Sequence, residues 1–400
     1  MRRTALLATI SALLAACAQT PAASIHVGAS PSSASSASAS GAGSPTASPR
    51  GAPSAAASGI PTPAPVVAPL TGNYGILFAS GNIELIKADG SIAATATITP
   101  SSVQYCSSNN DGAMLAPPAS ASNHQVYFRD GDTRIRRLNP GTGATDVTTV
   151  PGNSTTVSFF SVSPDDQRIA VVVEDLSGAT TIGLRLYVED LAGHGHHADI
   201  YTTSQPKGKT GTTLWPMGWH NGTLVLAVVV ACTFEPAGLT PSSWHVSNAT
   251  TAVRIATINA SGCTLSYWPS PAGVACVNYT SGATTLYNWA GNVTAGTGPG
   301  QTGQNFTQTG LSPAGNSIFF ATGAGIGAPA PATGIVQLGP GPYATVQGHM
   351  ACAWIDEDHL LAPDGVIQFP AETGGNVRVQ TTFTPFTAPG ICGGRFPGGL

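Results

Sequence analysis

Short apolar runs, or runs that alternate apolar and polar residues, recur from Leu70 onward, and Gly, Pro, Asn and Asp separate them. Clear examples are Ile169–Val173, Leu224–Val230 and Ile318–Phe320. Each has about the length of a β-strand, and no long stretch repeats its apolar residues with a helical period of about 3.6. The pattern therefore predicts an all-β fold built from many short strands.

A hairpin unit repeats within this pattern. Ser163–Val171 reads Ser-Pro-Asp-Asp-Gln-Arg-Ile-Ala-Val, and Ser270–Val277 and Ser312–Phe320 share its Ser-Pro start and apolar end. Pro pre-sets φ for a turn, while Asn, Asp and Gly tolerate tight turn geometry. Each copy therefore predicts a strand, a tight turn and a second strand. Looser copies are Ser122–Phe128, Trp219–Val225 and Asp356–Leu361.

A third strand is predicted after each hairpin. The turns start near residues 122, 163, 220, 270, 312 and 356, a spacing of about 40 to 50 residues. Four short strands at this period are typical of one blade of a β-propeller. The predicted third strands are Arg134–Leu138, Leu184–Val188, Ala252–Ala256, Thr285–Trp289, Gly334–Leu338 and Gly365–Phe369.

The number of blades follows from counting the units. Six hairpins are visible, and Tyr74–Phe78 with Asn82–Lys87 forms a seventh unit that lacks a first strand. We expect the tail from Asn376 to Cys392 to supply that strand, because closure of the ring removes exposed sheet edges. The predicted fold class is an all-β β-propeller of seven four-stranded blades over residues 70–400, with six or eight blades as alternatives.

The Ser-Pro hairpins resemble the blades of TolB-type and WD40-like propellers, in which a Trp-Ser-Pro-Asp-Gly turn joins the first two strands. Trp268-Pro-Ser-Pro-Ala-Gly273 comes nearest to that motif, and no copy keeps all of it. Trp219, Trp268 and Trp354 fall late in the first strands of their units, so we expect them to wedge between blades. The alternative role is a platform on which sugar rings stack.

The first residues follow a different pattern. Met1–Arg3 is a short positive segment, and Ala5–Ala16 is a short apolar run. Spanning a bilayer takes about 20 apolar residues, so this run fits the h-region of a secretory signal. It ends in Leu-Ala-Ala-Cys17, which resembles the lipobox of bacterial lipoproteins. The resemblance implies that the signal peptide, residues 1–16, is removed and that Cys17 is diacylated through its thiol. The alternative is an ordinary signal peptide with a chance cysteine.

Residues 17–69 consist almost only of Ala, Ser, Pro, Gly and Thr, without Trp, Tyr or Phe. Such a segment buries too little apolar surface to offset its ordering entropy, so we predict a disordered linker. As a flexible coil of about 50 residues it would separate its ends by on the order of 40 Å. The sequence therefore predicts an exported domain that a lipid anchor on Cys17 holds at the outer face of the cell membrane.

Charge limits the partners. Charged residues make up 8% of the chain, and the net charge of −4 becomes −6 when Arg2 and Arg3 leave with the signal. Nucleic-acid binding requires a basic footprint, so we exclude a nucleic-acid partner. The propeller is expected to be a monomer.

Cysteine usage fits an oxidising compartment. Beyond Cys17, six cysteines remain, which allows three disulfides with 15 connectivities. Cys263 and Cys276 flank a predicted hairpin and form the preferred pair. The other four are Cys106, Cys232, Cys352 and Cys392.

The sequence contains no G-x-S-x-G elbow, no Asp-box turn, no evident carboxylate pair and no phosphate-binding glycine loop. Nucleophilic and glycosidic hydrolysis need such sets, so no catalytic residue and no cofactor is predicted. His194, His196 and His197, flanked by Asp190 and Asp199, are the one dense cluster of potential metal ligands. We favour a hydrophilic loop over a metal site there.

Three other charged groups have an ordinary explanation as turns or strand faces. Asp130-Gly-Asp132 and Asp356–His359 carry oxygens suited to Ca²⁺, but both coincide with predicted turns, so solvated turns are favoured. Arg134, Arg136 and Arg137 form a basic patch that we interpret as an exposed strand face rather than an anion site.

These features favour a membrane-tethered extracytoplasmic module that binds a protein, peptide or glycan at the central depression or at the loops of one face. One alternative is a hydrolase or lyase with its active site in the central channel. Charged side chains converging on the axis would favour that enzyme, whereas an apolar or plugged channel would not. A second alternative is a structural envelope lipoprotein.

Overall fold

The structure of the protein is a computed structural model. It describes residues 68–103, 119–207, 211–231, 241–278, 280–298, 306, 308–322, 330–338, 343–369, 378–382 and 390–400. The predicted signal peptide (1–16) and linker (17–69), apart from the last two linker residues, lie outside this part of the chain. No described helix is long and apolar enough to cross a lipid bilayer.

The described chain folds into strands joined by turns. In chain order the strands are β1 (Tyr74–Ala79), β2 (Asn82–Lys87), β3 (Ile92–Thr97), β4 (Ala119–Ala121), β5 (Val126–Asp130), β6 (Arg134–Asn139), β7 (Gly143–Thr149), β8 (Thr156–Val162), β9 (Arg168–Asp175), β10 (Thr181–Asp190), β11 (Ala198–Pro206), β12 (Thr212–His220), β13 (Thr223–Val230), β14 (Ser243–Asn248), β15 (Arg254–Asn259), β16 (Thr264–Leu265), β17 (Val274–Val277), β18 (Thr284–Tyr287), β19 (Val293–Thr297), β20 (Gln308–Leu311), β21 (Ser317–Thr322), β22 (Ala332–Gln337), β23 (Tyr343–Gln347), β24 (Ala353–Trp354), β25 (His359–Ala362), β26 (Gly365–Gln368), β27 (Arg378–Thr382) and β28 (Ile391–Phe396).

The strands form seven four-stranded antiparallel sheets, which confirms the predicted all-β propeller of seven blades. Blade 1 combines β28 with β1 to β3, and blades 2 to 7 each take the next four consecutive strands. The inner strands are β28, β4, β8, β12, β16, β20 and β24. Those of blades 1 to 4 contact one another in turn, as do those of blades 6, 7 and 1.

The predicted hairpins occupy one face of the ring. Neighbouring strands are antiparallel, so the turn from the inner to the second strand lies at the same face in every blade. We call this the hairpin face. The Ser of the repeat fixes the turn: Ser163 Oγ accepts a hydrogen bond from the Arg168 N–H at 2.9 Å, and Ser312 Oγ accepts one from the Ser317 N–H at 3.1 Å.

The chain tail closes the ring, but with a later segment than expected. The predicted range 376–392 contains β27, the outer strand of blade 7, and only the first two residues of the closing strand β28. β28 pairs with β1 from Tyr74↔Phe396 to Phe78↔Ile391. The Gly-Gly pair in Ile391–Phe396 breaks the apolar alternation, which is why the sequence pattern did not show this strand.

The third strand of blade 4 was also predicted in the wrong place. The predicted Ala252–Ala256 belongs to a turn and to the outer strand β15, whereas β14 (Ser243–Asn248) is the third strand. Trp244 and Val246 of β14 are buried, while Val253 and Ile255 are exposed. Val253 and Ile255, although exposed, gave the sequence pattern that is expected of a buried strand.

Tryptophans connect neighbouring blades, as predicted for Trp219 and Trp354. The Trp219 indole N–H donates to the Ser161 carbonyl at 3.3 Å, and the Trp354 indole N–H donates to the Gly310 carbonyl at 2.9 Å. Both acceptors lie on the inner strand of the preceding blade. Trp268 does not follow this pattern, because its indole N–H has no acceptor among the described residues and its ring lies against Gly394 of β28.

Two disulfides stabilise inner strands. Cys263 and Cys276, the preferred pair, are joined within blade 5 with their Cα atoms 5.4 Å apart. Cys352 and Cys392 are joined with their Cα atoms 5.9 Å apart, and this bond connects blade 7 to β28 of blade 1. Cys106 and Cys232 lie outside the described residues.

Candidate functional site

A hollow of about 480 Å³ opens on the hairpin face between blades 2, 3 and 4. Its volume lies within the range of about 300 to 1,000 Å³ that is usual for ligand pockets. Trp219 and Leu400 contribute apolar surface. The polar lining side chains come from the turns of the three blades and are Asn123, Ser163, Asp165, Arg168 and Asn221.

The hollow presents one cation and one anion. The Arg168 guanidinium carbon lies 5.9 Å from the centroid of the Trp219 ring, a cation–π geometry. The Asp165 carboxylate accepts hydrogen bonds from the Ser163 hydroxyl at 2.6 Å and from the Gln167 N–H at 3.2 Å. The Ser163 hydrogen bond is the main reason that the pKa of Asp165 lies below its usual value. Asp165 is therefore charged at pH 7.

A hydrogen-bonded group stabilises the rim of the hollow. Asp166 accepts a hydrogen bond from the Tyr127 hydroxyl at 2.8 Å, and His124 Nδ1 lies 2.8 Å from the same carboxylate. Burial, followed by the nearby Asp166 charge, raises the pKa of Tyr127, so its hydroxyl remains a proton donor at pH 7. These contacts join the turns of blades 2 and 3.

The chain after β28 crosses the channel mouth on this face. The Gly398 N–H donates to the Ser122 carbonyl at 2.9 Å, and the Leu400 N–H donates to the Trp219 carbonyl at 3.1 Å. A Cβ on Gly399 would lie 2.3 Å from the Asn123 amide oxygen, and one on Gly218 would lie 2.5 Å from Leu400 Cδ1. A larger residue at either position would therefore require the Asn123 or Leu400 side chain to move while the tail keeps this path.

A smaller cavity of about 60 Å³ lies in the channel behind the tail. Its lining is mainly apolar or small, including Trp268, Trp354 and Met217, and Arg395 contributes the single charge. Leu400 lines both this cavity and the outer hollow. Neither lining, as far as the structure describes the chain, contains a histidine, a cysteine or a pair of carboxylates.

The histidine cluster is a hydrogen-bonded network in the turn between β10 and β11. His194 Nδ1 and His197 Nδ1 lie 2.6 and 2.8 Å from the two carboxylate oxygens of buried Glu189. His196 Nδ1 lies 2.7 Å from Asp190 Oδ2. Within the described ranges, no three potential ligand side chains converge on a common metal position. Each of the three imidazoles therefore contacts a carboxylate oxygen and not another imidazole.

The two candidate Ca²⁺ turns use their carboxylates in local contacts. Asp130 lies 2.6 Å from Arg134 and 3.2 Å from Arg136, so the predicted basic patch is partly neutralised. Asp356 Oδ1 accepts the Asp358 N–H at 2.9 Å and lies 2.8 Å from His359 Nδ1. The carboxylates of both turns are therefore bonded within the protein, whereas solvated turns were predicted; Asp130 is buried.

Sequence reasoning missed Arg395 and the crossing tail. Arg395 stands in a Gly-Gly-Arg-Phe segment without alternation, so nothing marked it as part of an inner strand. Gly398 to Leu400 carry no motif. The repeat, in contrast, predicted the turns that supply Asn123, Asp165 and Asn221.

The fold and the sites define the molecule as a seven-bladed β-propeller with a polar hollow at one channel mouth. No family model matches the chain, and no curated protein matches its sequence. Solved structures of low similarity include a Lactobacillus plantarum protein, with 13% identity, TM-score 0.45 and coverage of 81% of this chain and 98% of that one. Another is oligogalacturonate lyase from Vibrio parahaemolyticus, with 11% identity, TM-score 0.44 and coverage of 79% of this chain and 91% of that one. TolB from Acinetobacter baumannii has 12% identity, TM-score 0.37 and coverage of 66% of this chain and 61% of that one.

Proposed function

We propose that this protein is a non-enzymatic, exported binding module, held to the membrane by lipid on Cys17, which takes a protein, peptide or glycan ligand in the hollow on the hairpin face. The observation that carries the proposal is the contrast between the two openings. The outer hollow is large and has polar groups of both charges, whereas the channel cavity is small and has one charged side chain.

Three rigid blades support the hollow. Its polar side chains stand on tight turns between antiparallel strands, and contacts among Tyr127, His124 and Asp166 join two of these turns. Preformed polar groups lose little conformational entropy when a ligand binds. The geometry therefore suits recognition of an external ligand without rearrangement of the propeller.

The chemistry of the two linings supports binding rather than catalysis. General acid–base or nucleophilic catalysis needs two or more reactive groups within hydrogen-bond reach. Asp165 is the single carboxylate of the described hollow lining, and its partners are the turn groups that hold it. Binding through Arg168, Asp165 and the amide side chains requires no such arrangement.

The proposal is tested with two hollow variants and one matched control. Arg168→Ala removes the cation of the hollow, and Asn221→Gly removes an amide while keeping the left-handed turn, since Asn221 has φ 47°. Arg254→Ala makes the same change as Arg168→Ala on an exposed outer strand. Cross-linking in envelope fractions and thermal shifts against glycan and peptide panels should give a ligand that the wild type and Arg254→Ala retain and that both hollow variants lose.

Two results would count against the proposal. One is the absence of any partner or ligand-induced stabilisation across these panels. The other is equal binding by all four proteins, which would place the ligand elsewhere on the molecule. Turnover of a panel compound that survives in the hollow variants would favour the channel enzyme instead.

A further inference from the structure

The channel cavity contains a cation without a hydrogen-bond partner. No described residue accepts a hydrogen bond from the Arg395 guanidinium or forms an ion pair with it. A guanidinium has five N–H donors in a planar fork. The side chain is half-buried, and an anion bound in the cavity would accept charge-assisted hydrogen bonds from it. Arg395 is therefore the cation of this lining that is available to an anionic ligand.

A second donor in the same cavity is also unused. The Trp268 indole N–H has no acceptor among the described residues, although Trp268 packs against Gly394, whose Cβ position lies 3.5 Å from the indole ring. Trp354 shares the cavity but donates its N–H to the Gly310 carbonyl. The lining of the cavity thus includes two side chains, Arg395 and Trp268, whose donors have no acceptor among the described residues.

The charge around Arg395 limits the ligand. Burial lowers the pKa of Arg395 to about 10, and the nearby Glu357 charge opposes that shift. The guanidinium therefore stays protonated at pH 7. Glu357 accepts hydrogen bonds from Ser312 Oγ and the Ala314 N–H of blade 6, so it belongs to the turn network. The lining carries one positive charge and the negative charge of Glu357 lies nearby, so the cavity should bind a ligand with one negative charge better than a ligand with two.

The size of the cavity limits it further. A water needs roughly 10 to 15 Å³ of cavity volume, so the cavity of about 60 Å³ is suited to about four to six water-sized groups. A carboxylate with one or two attached carbons has that size, whereas a sugar ring exceeds it. The planar fork of Arg also matches a carboxylate with two parallel hydrogen bonds.

We propose that the channel cavity is a carboxylate-binding subsite, in which Arg395 and Trp268 hold the anionic end of the ligand whose remainder lies in the outer hollow. This inference rests on the proposed function, because the ligand enters past Leu400 from the hairpin face. The carboxylate belongs either to a small free acid or to the end of a peptide.

The test begins with ligand pairs on the full-length wild-type protein. Sodium acetate is titrated against equal sodium chloride at pH 7, with isothermal calorimetry and tryptophan fluorescence as readouts. Acetamide, which has the same shape without the charge, is the matched ligand, and inorganic phosphate is the dianionic comparison. We expect saturable binding of acetate, and at least tenfold weaker binding of acetamide and phosphate.

The variants then assign the site. Arg395→Gln should weaken acetate binding by about tenfold or more, because it removes a charged hydrogen bond, and Trp268→Phe by about two- to tenfold. Arg254→Gln removes the same charge from an outer strand and should bind as the wild type does. If Arg395→Gln does not fold, acetate binding by Trp268→Phe and the comparison of acetate with acetamide still test whether the cavity binds a carboxylate.

Failure of this subsite can be told apart from failure of the proposed function. No acetate binding, equal binding of acetamide, or unchanged binding by Arg395→Gln would overturn the subsite. The proposed function would still stand if Arg168→Ala and Asn221→Gly lose the ligand of the hollow. A short peptide that binds with a free carboxyl end but not as its amide would support the subsite with a peptide source, while acetate binding alone would support it with a free acid.

Discussion

Single polar side chains join neighbouring turns on the hairpin face. Ser270 Oγ donates to the Ser312 carbonyl at 2.7 Å, and Ser312 Oγ donates to Glu357 Oε2 at 2.9 Å. These residues stand on the turns of blades 5, 6 and 7. Each is buried or half-buried, so each contact replaces water that the hydroxyl or carboxylate would otherwise bind. Ser270 and Ser312 therefore hold their own turns and also connect them to the next blade.

His245 predicts a pH dependence at this scale. Burial, assisted by the Arg254 charge, lowers the pKa of His245 from 6.5 to about 4. Between these values the unfolded chain binds a proton that the folded chain does not, so acid lowers the free energy of unfolding. We expect the Tm of the wild type to fall more steeply from pH 7 to pH 4 than that of His245→Gln.

The control for this effect is His196→Gln, which changes a histidine that is 87% exposed. Its melting temperatures should follow the wild-type curve across the same pH range. Parallel curves for the wild type and His245→Gln would show that His245 does not carry the effect.

Residues differ in how far the sequence reveals their role. Ser163, Ser270 and Ser312 were recognised because a tight turn requires their neighbours Pro, Asp and Gly. Arg395 was not, because its role depends on which strands lie across the channel. That arrangement is tertiary, and no local pattern encodes it.

At the scale of elements, the hairpins were the most predictable units and the closing strand the least. A second strand such as β9 or β13 is buried on both faces and reads as an apolar run. In β14 the buried Trp244 and Val246 alternate with Ser and His residues. The exposed Val253 and Ile255, which follow it, therefore looked more like a strand in the sequence than β14 did. β28 contains two glycines and was found only as a general tail, because its partner β1 is distant in sequence.

The disulfide between Cys352 and Cys392 should matter most for β28. It closes a loop of 40 residues, for which chain entropy predicts a stabilisation of about 4 kcal/mol. The double variant Cys352→Ser, Cys392→Ser should lose about that much in denaturant unfolding. It should also speed hydrogen exchange in β1, since β1 depends on β28 for its inner hydrogen bonds.

The matched control is the double variant Cys263→Ser, Cys276→Ser. That bond closes a loop of 13 residues within blade 5, so the loss should be about 3 kcal/mol, without faster exchange in β1. Equal exchange in β1 for the two double variants would contradict the idea that the first bond holds the closing strand.

At the scale of the whole molecule, the seven sheets form the propeller, and the N-terminal sequence predicts export and a lipid anchor. The seven-blade fold followed from the period of the repeat, and the sheet topology confirms it. The position of the hollow did not follow, because it depends on which turns lie nearest to the crossing tail. The anchor on Cys17 remains a prediction from the lipobox resemblance.

The anchor is tested in bacterial cells that express the full chain. The wild type should incorporate a labelled fatty acid and sediment with membranes, whereas Cys17→Ser should lose the label and appear in the soluble fraction, because its anchor is gone. Cys263→Ser keeps Cys17 and should stay labelled. A labelled, membrane-bound Cys17→Ser protein would exclude this anchor.

The origin of the innermost strand of blade 1 has a consequence for biogenesis. β1 leaves the ribosome before β2 to β27, and its partner β28 follows only after all of these strands. Until then the nascent chain has an unsatisfied strand edge, and the ring cannot lock. The pairing that closes the finished ring therefore also delays its closure until β28 has been synthesised.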